Sequence, residues 1–192
     1  SKELAYEMGH YYNTLGKNDE ALRLYTAAIE SDPFDERAAL SQVQVLLDMG
    51  KNDEALDKLT NIVTFSRNPE NIELIISKVL LRKDEVQKAK DILLRLAQET
   101  DDSEPRYMLA LLAFKDKDYP TALTHLELIT STSIDFEDAV YLQTHIHKET
   151  GKVDKAVTLL RGYIAQETTR RPLFYGLLAA LYHERNAKPM AL

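Results

Sequence analysis

Two histidines separated by one residue, His145 and His147, come nearest in this chain to the residue types and spacing of a metal site. Imidazole is a common zinc ligand, but residues two apart on a helix do not share a face, and the chain contains no HExxH pattern. The chain also has no cysteine, so thiolate ligands, disulfides and a thiol nucleophile are excluded. We therefore predict no metal and no cofactor, and we interpret both histidines as solvated or core residues.

Three further groups of residues suggest chemistry only at first sight. Gly-Lys-Asn occurs twice, from Gly16 and from Gly50, but the earlier glycine and the following Ser or Thr of a phosphate loop are missing. The acidic group Asp101, Asp102 and Glu104 suits the N-terminal cap of a helix. Serines, histidines and aspartates are plentiful, but a nucleophile needs an orienting partner in a shaped pocket. The sequence thus predicts no catalytic residue and a chain that is not an enzyme.

The charge and the hydropathy pattern exclude two classes of partner. The 31 acidic and 24 basic residues give a net charge of −7, whereas affinity for nucleic acid comes from clustered Lys and Arg. The longest apolar stretches are far shorter than the roughly 18 residues that a membrane-spanning helix requires. We therefore expect neither nucleic-acid binding nor direct insertion into a membrane.

The elements that must position any site repeat along the chain. The segment from Gly16 to Leu22 returns residue for residue from Gly50 to Leu56. An alanine also recurs at separations of 34, 34, 33, 34 and 35 residues, at Ala21, Ala55, Ala89, Ala122, Ala156 and Ala191. A period of this size indicates a stack of small units, each of which buries its apolar face against its neighbours. Each alanine is expected to lie where two helices cross closely.

The helix-ending residues of the first unit indicate two helices joined by a turn. Gly16 suits the left-handed end of a first helix, and Pro33 blocks continuation of the second. Asp84 and Lys117 replace this turn glycine in the third and fourth units. Extended to the whole chain, the pattern predicts eleven helices, the eighth of them over 119–131. One largely apolar row is expected to run through the second helices, at Tyr25, Leu59, Leu93, Leu126 and Leu160.

This pattern resembles the tetratricopeptide repeat. The first unit has Met8-Gly9, Tyr12, Ala21, Tyr25, Ala28 and Pro33 where the family pattern has leucine-glycine, tyrosine, alanine, phenylalanine, alanine and proline. The resemblance implies an all-α fold, a right-handed α-solenoid of helix-turn-helix repeats with about five full units and a truncated sixth. The units are 2–35, 36–69, 70–102, 103–136, 137–171 and 172–192, in one superhelical domain. We expect the unfinished sixth unit to mark a fragment of a longer protein.

The resemblance also implies where a partner binds, because in this family the first helices of successive units line a concave groove. The fifth residue of each unit, and the residue four positions later, are expected to face this groove; in the sixth unit they are Gly176 and Ala180. The predicted groove residues are Tyr6, His10, Leu40, Gln44, Leu74, Lys78, Tyr107, Leu111, Phe114, Tyr141 and His145. The largest contributions to binding are expected from Tyr107, Leu111, Phe114 and Tyr141, since aromatic side chains offer large contact area at small rotamer cost.

The function that this resemblance implies is a scaffold or adaptor that binds a peptide or helix of a partner protein. An alternative is that the repeats belong to a larger enzyme or a secretion or assembly machine, whose active domain lies outside this chain. A third is a structural array that self-associates through its uncapped ends. The groove residues also have an alternative role, which is to pack one first helix against the next.

Overall fold

The computed structural model describes residues 1–166 and 171–187, and in these ranges the chain forms α-helices and no strand. The helices are α1 Lys2–Thr14, α2 Asn18–Ser31, α3 Glu36–Asp48, α4 Asn52–Val63, α5 Pro69–Arg82, α6 Val86–Glu99, α7 Glu104–Lys115, α8 Tyr119–Glu127, α9 Phe136–Glu149, α10 Val153–Gln166 and α11 Pro172–Ala187. The predicted all-α class and the predicted succession of helix-turn-helix units are confirmed.

The chain divides into two compact halves, residues 1–96 and residues 97–192. In the N-terminal half each helix from α1 to α4 packs against the next one along the chain. In the C-terminal half α7 packs on α8, α8 on α9, α9 on α10 and α10 on α11. Each half is therefore a stack of helical hairpins whose core lies between consecutive helices.

The repeat alanines lie in the interior of the two halves. All five in the described part of the chain are fully buried: Ala21, Ala55, Ala89, Ala122 and Ala156. The sixth, Ala191, lies outside the described residues. The predicted apolar row of the second helices is equally well buried, with exposed fractions of 0 or 1 % at Tyr25, Leu59, Leu93, Leu126 and Leu160. The period thus specifies the interior of both halves.

The turns between the two helices of a unit share one backbone conformation. Gly16, Gly50 and Gly151 have φ of 70°, 73° and 71°, the left-handed region that glycine adopts without steric cost. Asp84 and Lys117 occupy the same turn position and adopt the same conformation, with φ of 61° and 59°. The packing of the units therefore imposes the turn even where the side chain disfavours it.

The eighth helix is shorter than the sequence predicts. It ends at Glu127, not at 131, and turns follow as far as residue 135. Residues 130–133 are Thr-Ser-Thr-Ser, and the hydroxyl of Thr130 lies within hydrogen-bond distance of the hydroxyls of Thr132 (3.0 Å) and Ser133 (3.2 Å). Consecutive hydroxyl side chains favour local hydrogen bonds over helix continuation, and this preference overrides the repeat length here.

An arginine 34 residues downstream of a glutamate links neighbouring units in each half. Arg37 Nη2 lies 3.0 Å from Glu3 Oε2, and its guanidinium lies 3.8 Å from the ring centroid of Tyr6. In the C-terminal half, Arg171 Nε lies 3.5 Å from Glu137 Oε1 and its guanidinium 4.8 Å from the ring of Phe136. Exposed ion pairs add little stability, so their main effect is to fix the register of adjacent units.

The first helix carries an exposed apolar row. Leu4, Met8, Tyr11 and Leu15 follow one another at separations of four, three and four residues and are 41 to 61 % exposed. The equivalent positions of α3, 34 residues later, include Ala38, Gln42 and Val45, which are buried. The row on α1, called here the α1 row, is thus the same repeat interface without a covering helix.

Candidate functional site

The groove residues predicted in the N-terminal half do not form one continuous surface. Tyr6 is half-buried, with its ring 5.8 Å from that of Tyr25 and covered by Arg37. Leu40 packs against the core, and Gln44 is exposed and donates a hydrogen bond to Asp48 (2.8 Å). His10 is exposed and Lys78 is half-buried.

Leu74 differs most from its predicted role. It is only 4 % exposed and so lies in the interior of the N-terminal half. A side chain with almost no accessible surface cannot contribute a binding contact without local unfolding. Its burial supports packing, the alternative role that the sequence left open for these positions.

The predicted residues of the C-terminal half do come together. The ring of His145 lies 5.6 Å from that of Phe114 and 6.5 Å from that of Tyr141, to which it is nearly parallel at 4°. Leu111, one turn before Phe114 on α7, is 41 % exposed, and Tyr141 is 51 % exposed. These four residues, Leu111, Phe114, Tyr141 and His145, are called here the aromatic patch.

Two further tyrosines, Tyr107 and Tyr119, pack against the core beside the patch. Tyr107 is half-buried against the core, and Tyr119 contacts Phe114 at a ring distance of 5.8 Å. Burial raises the pKa of the Tyr107 hydroxyl, with a further contribution from the negative charges of Asp138 and Asp135. Tyr107 therefore stays neutral at physiological pH. Of the two tyrosines from which the largest contributions to binding were expected, Tyr107 is half-buried against the core and Tyr141 is the more exposed.

An ion pair closes one end of the patch. Lys148 Nζ lies 2.5 Å from Glu184 Oε1, which joins the last turn of α9 to the facing turn of α11. The hydrogen bond to Glu184 is the main reason that the pKa of Lys148 is raised. Lys148 therefore stays charged at neutral pH and is paired with Glu184. No local sequence signal predicts this pair, because its members are 36 residues apart.

The two histidines that suggested a metal site lie in different surroundings. Although His145 belongs to the aromatic patch, His147 instead lines a separate surface depression with Asp154 and Lys155. Burial lowers the pKa of His147, and the nearby Lys155 and Lys152 lower it further. Within residues 1–166 and 171–187 no three His, Asp or Glu side chains are grouped so that they could hold a metal ion.

The acidic group before α7 has a structural explanation. Asp102 Oδ1 accepts a hydrogen bond from the backbone N–H of Glu104 (3.0 Å), and the hydroxyl of Ser103 donates one to Asp135 (2.5 Å). These bonds tie the start of α7 to the start of α9. No helix in the described part of the chain is long and apolar enough to cross a membrane.

The stacked hairpins and their exposed aromatic patch define an α-helical repeat protein, of the class that serves as scaffolds for protein interactions. Residues 6–69, which span most of the first two units, match the family model described as tetratricopeptide repeat. Over these residues the chain is similar to the tetratricopeptide repeat, and its stacked helical hairpins agree with that similarity. A comparison with curated proteins gives no match.

Solved structures share this fold at low sequence identity. MamA is 20 % identical with a TM-score of 0.65, over 100 % of this chain and 97 % of that one. A tetratricopeptide repeat protein from Parabacteroides merdae ATCC 43184 is 19 % identical with a TM-score of 0.67, over 96 % and 73 %. YrrB, described as a TPR protein with an unusual peptide-binding site, is 16 % identical with a TM-score of 0.59, over 95 % and 90 %.

Proposed function

We propose that this chain is an interaction scaffold that binds a peptide segment of a partner protein on the aromatic patch. The observation that carries the proposal is the 51 % exposure of Tyr141, whose neighbours His145 and Phe114 hold it in a row of rings. Exposed aromatic side chains that are already ordered lose little entropy on binding and are typical of interface hot spots. The peptide-binding site named for YrrB, which has the same fold, is consistent with this use.

Catalysis has no place in this proposal. If the repeats belong to a larger enzyme or assembly machine, the active domain lies outside residues 1–192 and the patch keeps its role as a docking surface. The net charge of −7 favours a protein or peptide over nucleic acid as the partner.

The substitution Tyr141→Ala is expected to weaken peptide binding strongly while leaving the fold intact. The probe is a set of peptides selected against the chain from a phage-displayed library of random dodecapeptides. Loss of a hot-spot side chain costs at least about 2 kcal/mol, which is roughly a 30-fold rise in Kd. The measurement is fluorescence anisotropy with labelled peptide, beside a thermal unfolding curve for each variant.

Phe34→Ala is the matched control, because Phe34 is an exposed aromatic residue of the N-terminal half and lies outside both the patch and the α1 row. It should leave peptide affinity unchanged. The proposal fails if Tyr141→Ala binds the peptides as the wild type does. It also fails if Phe34→Ala weakens the peptides as much as Tyr141→Ala does.

Self-association is the second candidate function, and the α1 row favours it. Its separations of four, three and four residues are those of the a and d positions of a coiled-coil seam. Such a seam is self-complementary, so the partner we propose for it is α1 of a second copy in a two-fold symmetric pair.

Light scattering tests this second candidate. The wild type is expected to show twice the chain mass of 21.9 kDa at high concentration, and Tyr11→Glu is expected to show the single mass. Leu128→Glu, which changes an exposed leucine of the other half, is the control and should not alter the mass. A wild type that stays monomeric at millimolar concentration contradicts the candidate.

A further inference from the structure

We propose that the patch selects a partner segment with one bulky apolar side chain beside one basic side chain. The bulky side chain would enter a notch between α9 and α11, and the basic one would pair with Asp138. This inference rests on the proposed function, because it assigns the partner chemistry of the same surface.

The position of the notch follows from contacts at both ends of the two helices. Near the start of α9, Glu137 pairs with Arg171, 34 residues later, and near its end Lys148 pairs with Glu184, 36 residues later. Helices fixed side by side at both ends in this register bring intermediate residues about 35 apart to face each other. By this register we infer that Tyr141 and His145 on α9 face Gly176 and Ala180 on α11.

The shape of the notch comes from a change of residue size between units. The fifth and ninth residues of the fifth unit are Tyr141 and His145, whereas those of the sixth are Gly176 and Ala180. A Cβ placed on Gly176 would meet no atom within 4 Å, and both small residues are exposed. The two rings would thus form one wall of the notch, and the small residues Gly176 and Ala180 would form its floor. A large apolar side chain would bury surface against both.

The charge beside the notch indicates the second feature of the partner. Lys148 and Glu184 neutralise each other, and Glu137 has Arg171. Asp138 is exposed on α9 and has no ion-pair partner among the described residues. Asp138 lies three residues before Tyr141 on α9, so the two side chains share one face of the helix. Its negative charge also contributes to the raised pKa of Tyr107. A Lys or Arg of the partner would compensate this carboxylate.

The test fills the notch without disturbing the fold. In Gly176→Leu the new side chain occupies the space proposed for the partner, and leucine is also the better helix former. Gly162→Leu on α10 is the matched control, since a Cβ there likewise meets nothing within 4 Å. The probe is the same set of dodecapeptides from the random library, each measured against wild type, both leucine variants and Asp138→Asn.

The expected result has three parts. Peptides that depend on Tyr141 should share a Phe, Trp or Leu next to a Lys or Arg. Gly176→Leu should weaken them at least about tenfold, while Gly162→Leu changes their affinity less than twofold. Asp138→Asn should weaken them about threefold or more at low salt, and the difference should shrink at high salt.

The outcomes separate this inference from the proposed function. If peptides depend on Tyr141 but bind Gly176→Leu as tightly as the wild type, the notch is wrong and the binding surface stands. If they lack a bulky apolar or a basic residue, the assigned partner chemistry is wrong. If no selected peptide depends on Tyr141, both proposals are overturned. Circular dichroism and thermal unfolding of Gly176→Leu establish that any loss of binding is not a loss of fold.

Discussion

Replacement of Leu126 by alanine is expected to lower the free energy of unfolding by about 2 to 5 kcal/mol. Leu126 is 1 % exposed and belongs to the row that runs through the second helices. It packs in the core of the C-terminal half, which also contains Ala110, Ile129 and Val140. The truncation removes buried apolar atoms and leaves a cavity, and both effects act in the same direction. Urea unfolding followed by far-UV circular dichroism measures the change.

Leu128→Ala is the matched control for that experiment. Leu128 lies two residues further along the same segment but is 60 % exposed, so its truncation should change stability by no more than about 0.5 kcal/mol. Equal destabilisation by the two variants would contradict the assignment of the row to the core. In a stack of repeats each unit is stabilised mainly by its neighbours, so the cavity at Leu126 should weaken the whole C-terminal half.

Gly9→Ala is expected to destabilise the protein by about 1 to 2 kcal/mol, although alanine is the better helix former. A Cβ on Gly9 would lie 2.9 Å from Cε1 and 3.0 Å from Cδ1 of Tyr25. Tyr25 is fully buried, so its ring cannot move aside without disturbing the core of the N-terminal half. The gain of about 1 kcal/mol in helix propensity is therefore outweighed by the steric conflict.

The opposite sign is expected for the same change at Gly162. There a Cβ meets no atom within 4 Å, so only the helix propensity changes and the protein should gain about 0.5 to 1 kcal/mol. Differential scanning calorimetry of the two variants beside the wild type provides the comparison. A higher Tm for Gly9→Ala would show that α1 and α2 are not in the close contact that the structure gives them.

These two stability predictions concern the scaffold, whereas the binding predictions concern residues that the scaffold leaves free. The repeat alanines and the Leu126 row are buried and identical in role from unit to unit. The positions that form the aromatic patch carry different residue types in different units, and the patch is partly exposed. Loss of stability and loss of binding should therefore be separable by mutation, with Leu126→Ala affecting the first and Tyr141→Ala the second.

The helices could be predicted almost completely because their signals are local. Turn glycines, prolines and the spacing of apolar residues all lie within a few residues of the boundaries that they specify. The prediction was wrong at the end of α8, where a run of four hydroxyl residues stops the helix at Glu127. Asp84 and Lys117 show the converse case, since neither residue type by itself predicts the left-handed turn that both adopt.

The sequence by itself determined the repeat, its resemblance to the tetratricopeptide repeat and the buried alanines, because a side chain between closely packed helices must be small in every unit. Only the tertiary structure decided which groove positions reach solvent. Leu74 and Tyr141 occupy the same fifth position of their units, yet one is 4 % and the other 51 % exposed. Exposure depends on the side chains that a neighbouring unit places alongside, and these are about 35 residues away. The equivalent position of the next unit after Tyr141 is Gly176, which has no side chain to cover a neighbouring ring.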